Sequence, residues 1–211
     1  MKMIKDITEQ NKQYFSSWSS NYDWKLFQFW MKRFQKPIVK ILDQTRPATL
    51  LDISCGTGEF LKELTQLKPK YTLYGADITQ GMLDKARKKL PPSIHLSLAD
   101  VHHLPFKDNY FDYVTNTEAF HHFENQTKAL QEMVRITKKN GKMIIVDINF
   151  FFRSIHYLFE KLEPGCVKVN SKKEMRQLFE DAGLKNITQQ RNFLFAVMTI
   201  GEKNTGRRRL I

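Results

Sequence analysis

Between residues 48 and 148 the chain alternates short β-rich runs with amphipathic stretches, and this alternation constrains the fold more than any other feature. The runs 48–53, 71–76, 94–99, 111–116 and 142–148 read as strands. The stretches 59–67, 80–90 and 123–138 between them read as helices; in the second, Met82, Leu83, Ala86 and Leu90 fall on one helical face. Strands separated by helices of this length pair in parallel, with helices covering both faces of the sheet. Beyond residue 148 the pattern changes. Residues 150–162 form an apolar helix candidate closed by Pro164-Gly165, and Ser171 with Glu174 makes a capping box for a helix over 171–182 that ends at Gly183. The runs 187–191 and 193–200, around Asn192, predict an antiparallel hairpin at a sheet edge.

The 211 residues, 41% hydrophobic, suffice for one compact core without disulfide or metal staples. Two cysteines, Cys55 and Cys166, make no disulfide framework and suit a reducing compartment. No CxxC or paired Cys/His spacing points to a metal. The opening residues are polar and charged, unlike a secretory signal. The most apolar run, 143–159, is broken by Asp147, Asn149, Arg153 and His156, so it is too polar for a bilayer span. A soluble, cytoplasmic protein is expected.

The net charge is +12, carried by the flanks. Residues 1–46 hold 9 basic against 4 acidic side chains and residues 153–211 hold 12 against 6, whereas 47–152 is nearly neutral with 13 against 12. Such flanks either serve solubility or favour an anionic partner.

The sequence Leu50-Leu51-Asp52-Ile53-Ser54-Cys55-Gly56-Thr57-Gly58-Glu59-Phe60 carries a strand into a small-residue turn and straight into a helix. In open α/β sheets ligands bind beyond the carboxyl ends of the strands, and small residues let a ligand lie against the backbone. A plain structural turn would also explain this pattern. Three acids add to it, because Asp52, Asp77 and Asp100 end the first, second and third strands. Asp77 is placed to accept from both hydroxyls of a ribose, Asp100 from an exocyclic amine, and Asp52 to hold a cationic amine. Three solvated loop aspartates are the bland alternative. A ligand with a ribose, an adenine and an ammonium group is S-adenosyl-L-methionine.

At these positions the chain resembles the class I S-adenosylmethionine-dependent methyltransferases, of the small type that includes the ubiquinone/menaquinone C-methyltransferases. The resemblance rests on LLDISCGTGEF (50–60), YGADIT (74–79), LADVHHLPFKDNYFDYV (98–114), NTEAFHHF (116–123) and EMVRITKKNGKMIIVD (132–147). It implies a Rossmann-like seven-stranded, mostly parallel α/β sheet, with an N-terminal helical lid over 1–46, a methyltransferase domain over 47–203, a substrate-cap insert near 149–170 and a flexible basic tail over 204–211. It further implies that Asp52, Ser54, Gly56 and Gly58 line the methionine end and Asp77 takes the ribose. Ile78 and Met82 would flank the adenine, Asp100 and the Val101 backbone would read its polar edge, and Thr117 would sit near the sulfonium. The product would be S-adenosyl-L-homocysteine. The family usually carries glycine where this chain has Ser54. A dinucleotide-binding Rossmann protein would instead expect a third glycine at the position of Leu61.

Tyr14, Phe15, Trp18 and Tyr22 resemble the YF-x-x-W-x-x-x-YD opening of related enzymes, and Trp18 and Tyr22 are expected to close over the cofactor. Phe150–Phe152, His156, Tyr157 and Phe159 would form the opposite wall of the substrate pocket, and a core of two packing helices is the alternative for most of these flank aromatics. Methyl transfer needs a base only where the acceptor holds a proton that must leave early. His122 is the candidate, with Asp147 second and a packing role for His122 the alternative. The reading is a methyltransferase acting on a small aromatic or lipophilic acceptor, with weak membrane-surface contact through the basic N-terminal helix and no metal. An RNA methyltransferase and a non-enzymatic S-adenosylmethionine-binding protein stay open, although no RNA-binding module is recognisable.

Overall fold

The computed structural model describes residues 7–18, 25–67, 71–193 and 195–204, with the side chains of 7–8, 16–18, 25–31 and 193 left aside. Strands β1 (Thr49–Ile53), β2 (Thr72–Asp77), β3 (His95–Leu98), β4 (Phe111–Thr117), β5 (Thr137–Ile148), β6 (Leu184–Phe193) and β7 (Ala196–Lys203) form one sheet in the order β3-β2-β1-β4-β5-β7-β6. The first five pair in parallel, while β7 runs antiparallel to both β5 and β6. This is the Rossmann-like order, and the strand sequence reverses beside β1, where β2 and β4 depart to opposite sides.

Helices α1 (Ile7–Trp18), α2 (Lys25–Val39), α3 (Glu59–Leu64), α4 (Gln80–Lys89), α5 (Gln126–Ile136), α6 (Arg153–Leu162) and α7 (Lys172–Asp181) complete the layers. Alternate strand residues feed two cores. On one face Leu50, Tyr113, Ile144 and Met198 pack with Phe34 and Ile38 of α2, Phe60 of α3 and Leu83 of α4. On the other, Leu51, Val114, Met143 and Ile145 pack with Leu130 and Met133 of α5 and Phe179 of α7. The central strands are therefore buried on both sides, which explains their continuous apolar runs. The capping box at Ser171 is present: its hydroxyl accepts from Glu174 N–H while the Glu174 carboxylate accepts from Ser171 N–H.

Several boundaries differ from expectation. Strand β5 begins at Thr137 rather than 142, because Thr137 pairs with Phe111 before an irregularity that includes Asn140 at φ 63°. Residues 120–122 form a separate 3₁₀ turn, so α5 starts at Gln126, capped by the Asn125 side chain accepting from Lys128 N–H. Asn192 is not the hairpin turn. It lies within β6, and its side-chain amide donates to Phe34 O at 2.6 Å, joining the hairpin to α2.

Candidate active site

The carboxyl ends of β1, β2, β3 and β4 open into one cleft of about 810 Å³, its solvent-open mouth included. Its floor comes from Ile53, Ser54 and Gly56 at the end of β1, and its sides from Asp77, Ile78, Thr79 and Met82, from Ala99–His102 and from Thr117–Ala119. Asn11, Phe15, His122 and Phe123 close one end.

The turn after β1 is built by backbone conformations that favour glycine. Gly56 and Gly58 have φ of 53° and 81°, and Ser54 shares the left-handed region at 57°. Ser54 thus stands where an L side chain is strained, and serine is accommodated at a cost. Gly58 has a second role, because a Cβ there would lie 2.6 Å from Leu90 Cδ1. It lets α3 and α4 approach, and it does not line the cleft.

Asp77 is the best-held acid of the site. Its Oδ2 accepts from Gly56 N–H and its Oδ1 from Thr79 N–H, both at 2.9 Å. The carboxylate is 8% exposed, and burial raises its pKa although both backbone donors oppose the shift. Each oxygen keeps a further lone pair for a ligand hydroxyl.

Asp100 lies past β3 in the same cleft. Its Oδ1 accepts from His102 N–H at 2.8 Å and lies 2.6 Å from His102 Nδ1. Because Asn125 N–H donates to His102 Nε2, the ring proton sits on Nδ1 and points to the carboxylate. His102 thus orients Asp100, a role absent from the sequence reading, where nothing separates it from its neighbour His103. Ile78, Met82 and Val101 line the cleft. Thr117 lines it too, with a buried hydroxyl that has no partner.

Asp52 departs from expectation. It does not line the cleft, because on β1 it alternates with Ile53, which does. Its Oδ1 accepts from Thr115 Oγ1 at 2.9 Å, and burial pushes its carboxyl up to about 7. The three strand-end acids therefore do not share one wall: Asp77 and Asp100 do, and Asp52 stands behind them. Of the expected lid residues, Tyr22 and the Trp18 side chain lie outside the described residues. Asn11 and Phe15, on the same α1, do reach the cleft.

His122 faces the cleft with 8% exposure, Phe15 edge-on to its ring at 5.0 Å and the His121 ring at 4.1 Å. Burial, with the neighbouring His121, lowers its pKa to about 3, so the ring is neutral at ordinary pH. Its Nδ1 is buried without a partner. The other base candidate, Asp147, is turned away from the cleft: its Oδ1 lies 2.6 Å from His121 Nδ1, and both residues are buried. Glu118 was also missed by sequence reading. It lines the cleft at φ 53°, and burial, together with the nearby Asp147, raises its pKa well above the carboxylate range. Asn11 secures this end, its Nδ2 donating to His122 O and to Gly165 O at 3.0 Å each.

The donor set fits a nucleoside with a charged amino-acid tail: a two-oxygen acceptor for vicinal hydroxyls, apolar Ile78 and Met82, an acid beside a backbone turn, and a Cβ-free loop at Gly56. Residues 51–145 match the family model described as a methyltransferase domain. The chain carries a methyltransferase domain and is an S-adenosylmethionine-dependent methyltransferase. Among curated proteins it is similar to demethylmenaquinone methyltransferases. That of Shouchella clausii is 27% identical over 74% of this chain and 79% of the relative, and that of Staphylococcus aureus strain Newman is 26% identical over 92% and 93%. Among solved structures, an S-adenosylmethionine-dependent methyltransferase of Aquifex aeolicus superposes with a TM-score of 0.70 at 20% identity, over 89% of this chain and 97% of that one. A phosphoethanolamine N-methyltransferase of Haemonchus contortus, bound to S-adenosylhomocysteine, gives 0.74 at 14% identity over 96% and 61%. Among the described residues no group of His, Cys, Asp and Glu could hold a metal, and no helix is long and apolar enough to cross a membrane.

Proposed function

We propose that the cleft holds S-adenosyl-L-methionine and transfers its methyl group to a small, lipophilic aromatic acceptor bearing a hydroxyl, of the hydroquinone type, leaving S-adenosyl-L-homocysteine. The observation that carries the cofactor half is Asp77, fixed by two backbone N–H groups at the rim of a cleft whose next strand end presents Asp100. Asp77 would take the ribose hydroxyls, Ile78 and Met82 the adenine faces, and Asp100 with the Val101 backbone the adenine edge. Ser54, Gly56 and Thr117 would border the methionine end. Asp52 and Gly58 act one step back, through the strand and the α3–α4 contact. When bound, the cofactor supplies a methyl group already activated by its sulfonium, so the protein's contribution is positioning and exclusion of water.

The acceptor half rests on the far wall. Phe15, Phe123 and His122 make it aromatic, and the curated relatives are named for a quinone substrate. His122 Nδ1, neutral and unpartnered, accepts a hydrogen bond from the acceptor hydroxyl and orients the ring bearing it. With its pKa near 3 it is a weak base, so it positions the nucleophile rather than storing its proton. Asn11 and Phe15 support the assignment of 1–46 as a lid and 149–170 as a cap, since Asn11 joins α1 to the turn after α6. An intracellular, reducing location suits the free Cys55 and Cys166.

The test is radiolabelled methyl transfer to a panel of hydroquinones, naphthols, catecholamines and short RNAs. Transfer to the hydroquinones, lowered at least about tenfold by His122→Ala with cofactor affinity kept, is expected. Transfer to RNA alone would overturn the acceptor assignment.

A further inference from the structure

Helix α6 and the two residues before it expose an unusual amount of apolar surface. Phe151, Phe152, Ile155, Tyr157, Leu158 and Leu162 are between 40 and 72% exposed. Ile155, Leu158 and Leu162, spaced three and four apart, form a stripe that Phe151 and Phe152 extend at its start. Only a narrow seam faces the protein: His156 is buried, with Nε2 on Phe150 O, and Phe159 is half-buried against His121. A cluster of this size on one short helix exceeds the scattered apolar residues normal on a surface.

Charge says what covers it. Of the two acids of this stretch, Glu160 is engaged by Val169 N–H, from which it accepts, and Glu163 is half-buried. Around the outward side cations outnumber acids, Glu174 being ion-paired to both Arg153 and Lys168. Lys161 Nζ sits 4.3 Å over the Tyr157 ring, the Arg191 guanidinium 4.1 Å over Phe151, and Arg153 is exposed beside Glu174. Lys172 and Lys173 follow at the start of α7, both exposed. A second copy of this chain would bring like charges together on this face, whereas an anionic lipid surface would meet opposite ones. Aromatic and leucine side chains rimmed by lysine and arginine are the composition of a helix lying in a bilayer interface.

We propose that the outward face of α6 docks the protein onto an anionic lipid surface, with Phe151, Ile155, Leu158 and Leu162 entering the headgroup boundary. The face is distinct from the basic N-terminal helix that the charge pattern first suggests. It borders the active site, because residues 165–168, which follow α6, bond Asn11 and His121. The acceptor assignment gives the device its use, since a lipophilic acceptor would pass from lipid to cleft at one edge of the protein. The docking itself is read without turnover and so stands or falls separately.

The experiment is co-sedimentation of the full chain with vesicles of phosphatidylcholine alone and of phosphatidylcholine mixed equally with phosphatidylglycerol. The variant Phe151→Ser/Leu158→Ser/Leu162→Ser is run in parallel, with thermal unfolding and S-adenosylmethionine affinity as controls of fold. The expected result is partition onto the mixed vesicles that exceeds partition onto phosphatidylcholine, weakens with salt, and falls at least about tenfold in the variant. Retained partition in the variant would place the contact elsewhere and overturn the proposal. So would absence of partition, or a dimer in sedimentation velocity that the variant dissolves. If the triple variant fails its fold controls, Leu158→Ser alone is read the same way.

Discussion

Thr115 Oγ1 donates to Asp52 Oδ1 at 2.9 Å, so the first acid of the loop motif is occupied from within the sheet rather than offered to the cleft. Ionisation of this carboxyl opposes folding: burial raises it to about 7, from an ordinary value near 3.8. Between those two values the native state binds more protons than the unfolded chain, so stability falls as pH rises through this window and stays low above it. Asp52→Asn keeps the Thr115 hydrogen bond and removes the charge. It should gain a few kcal/mol at pH 8, a gain that shrinks steadily as pH falls from about 7 to about 4. Urea titrations at pH 8 and pH 5 measure it, and an equal effect at both would contradict the burial account.

His122 should not titrate in the physiological range. Its ring is held neutral by burial, with its pKa near 3. Imidazole nitrogen shifts of His122, followed by NMR from pH 7.5 to pH 5, should stay at their neutral values. A midpoint near 6.5 would mean that the ring is solvated and able to act as an ordinary base.

Ser54 at φ 57° separates conformational strain from chemistry. Ser54→Gly removes a left-handed strain of roughly 1 kcal/mol and adds a comparable entropy to the unfolded chain, so stability should change by less than about 1 kcal/mol. Ser54→Val adds β-branching to the same backbone and should cost more than about 2 kcal/mol. Chemical denaturation compares them, and a valine variant as stable as the parent would contradict the backbone account.

Asn11 ties sequence-distant segments, bonding His122 O and Gly165 O. Gly165 has no room for a side chain: a Cβ there would fall 1.6 Å from Asn11 Oδ1. Asn11→Ala strands buried carbonyls and should cost about 1–3 kcal/mol of unfolding free energy while raising the protease sensitivity of α1. A loss below about 0.5 kcal/mol would show that water replaces the amide.

Strands β1 to β4 and helix α4 were legible because their apolar runs and helical periodicity leave one arrangement for a parallel sheet. The cleft's position followed from the strand ends. The start of β5 was not, since Thr137–Lys139 is polar and pairs with Phe111 only through tertiary context. The side on which Asp52 falls was hidden for a related reason: β1 is buried on both faces, so its sequence shows no alternation to assign a side. His102 and Glu118 lie inside the motif runs 98–114 and 116–123, but nothing in those runs assigns either a role. Their roles arise from Asn125 N–H on one ring nitrogen and from a carboxyl closed in beside Asp147. Asn11 was invisible because its partners lie 111 and 154 residues away.

The central claim, that Asp77 organises the cofactor site, is tested most directly by calorimetric titration with S-adenosyl-L-methionine of the parent and of Asp77→Asn. The asparagine places an amide donor against Gly56 N–H or Thr79 N–H and removes the charge, so affinity should fall at least about thirtyfold with the fold intact. Equal affinity in the two proteins, or binding of NAD in place of S-adenosylmethionine by the parent, would contradict the account.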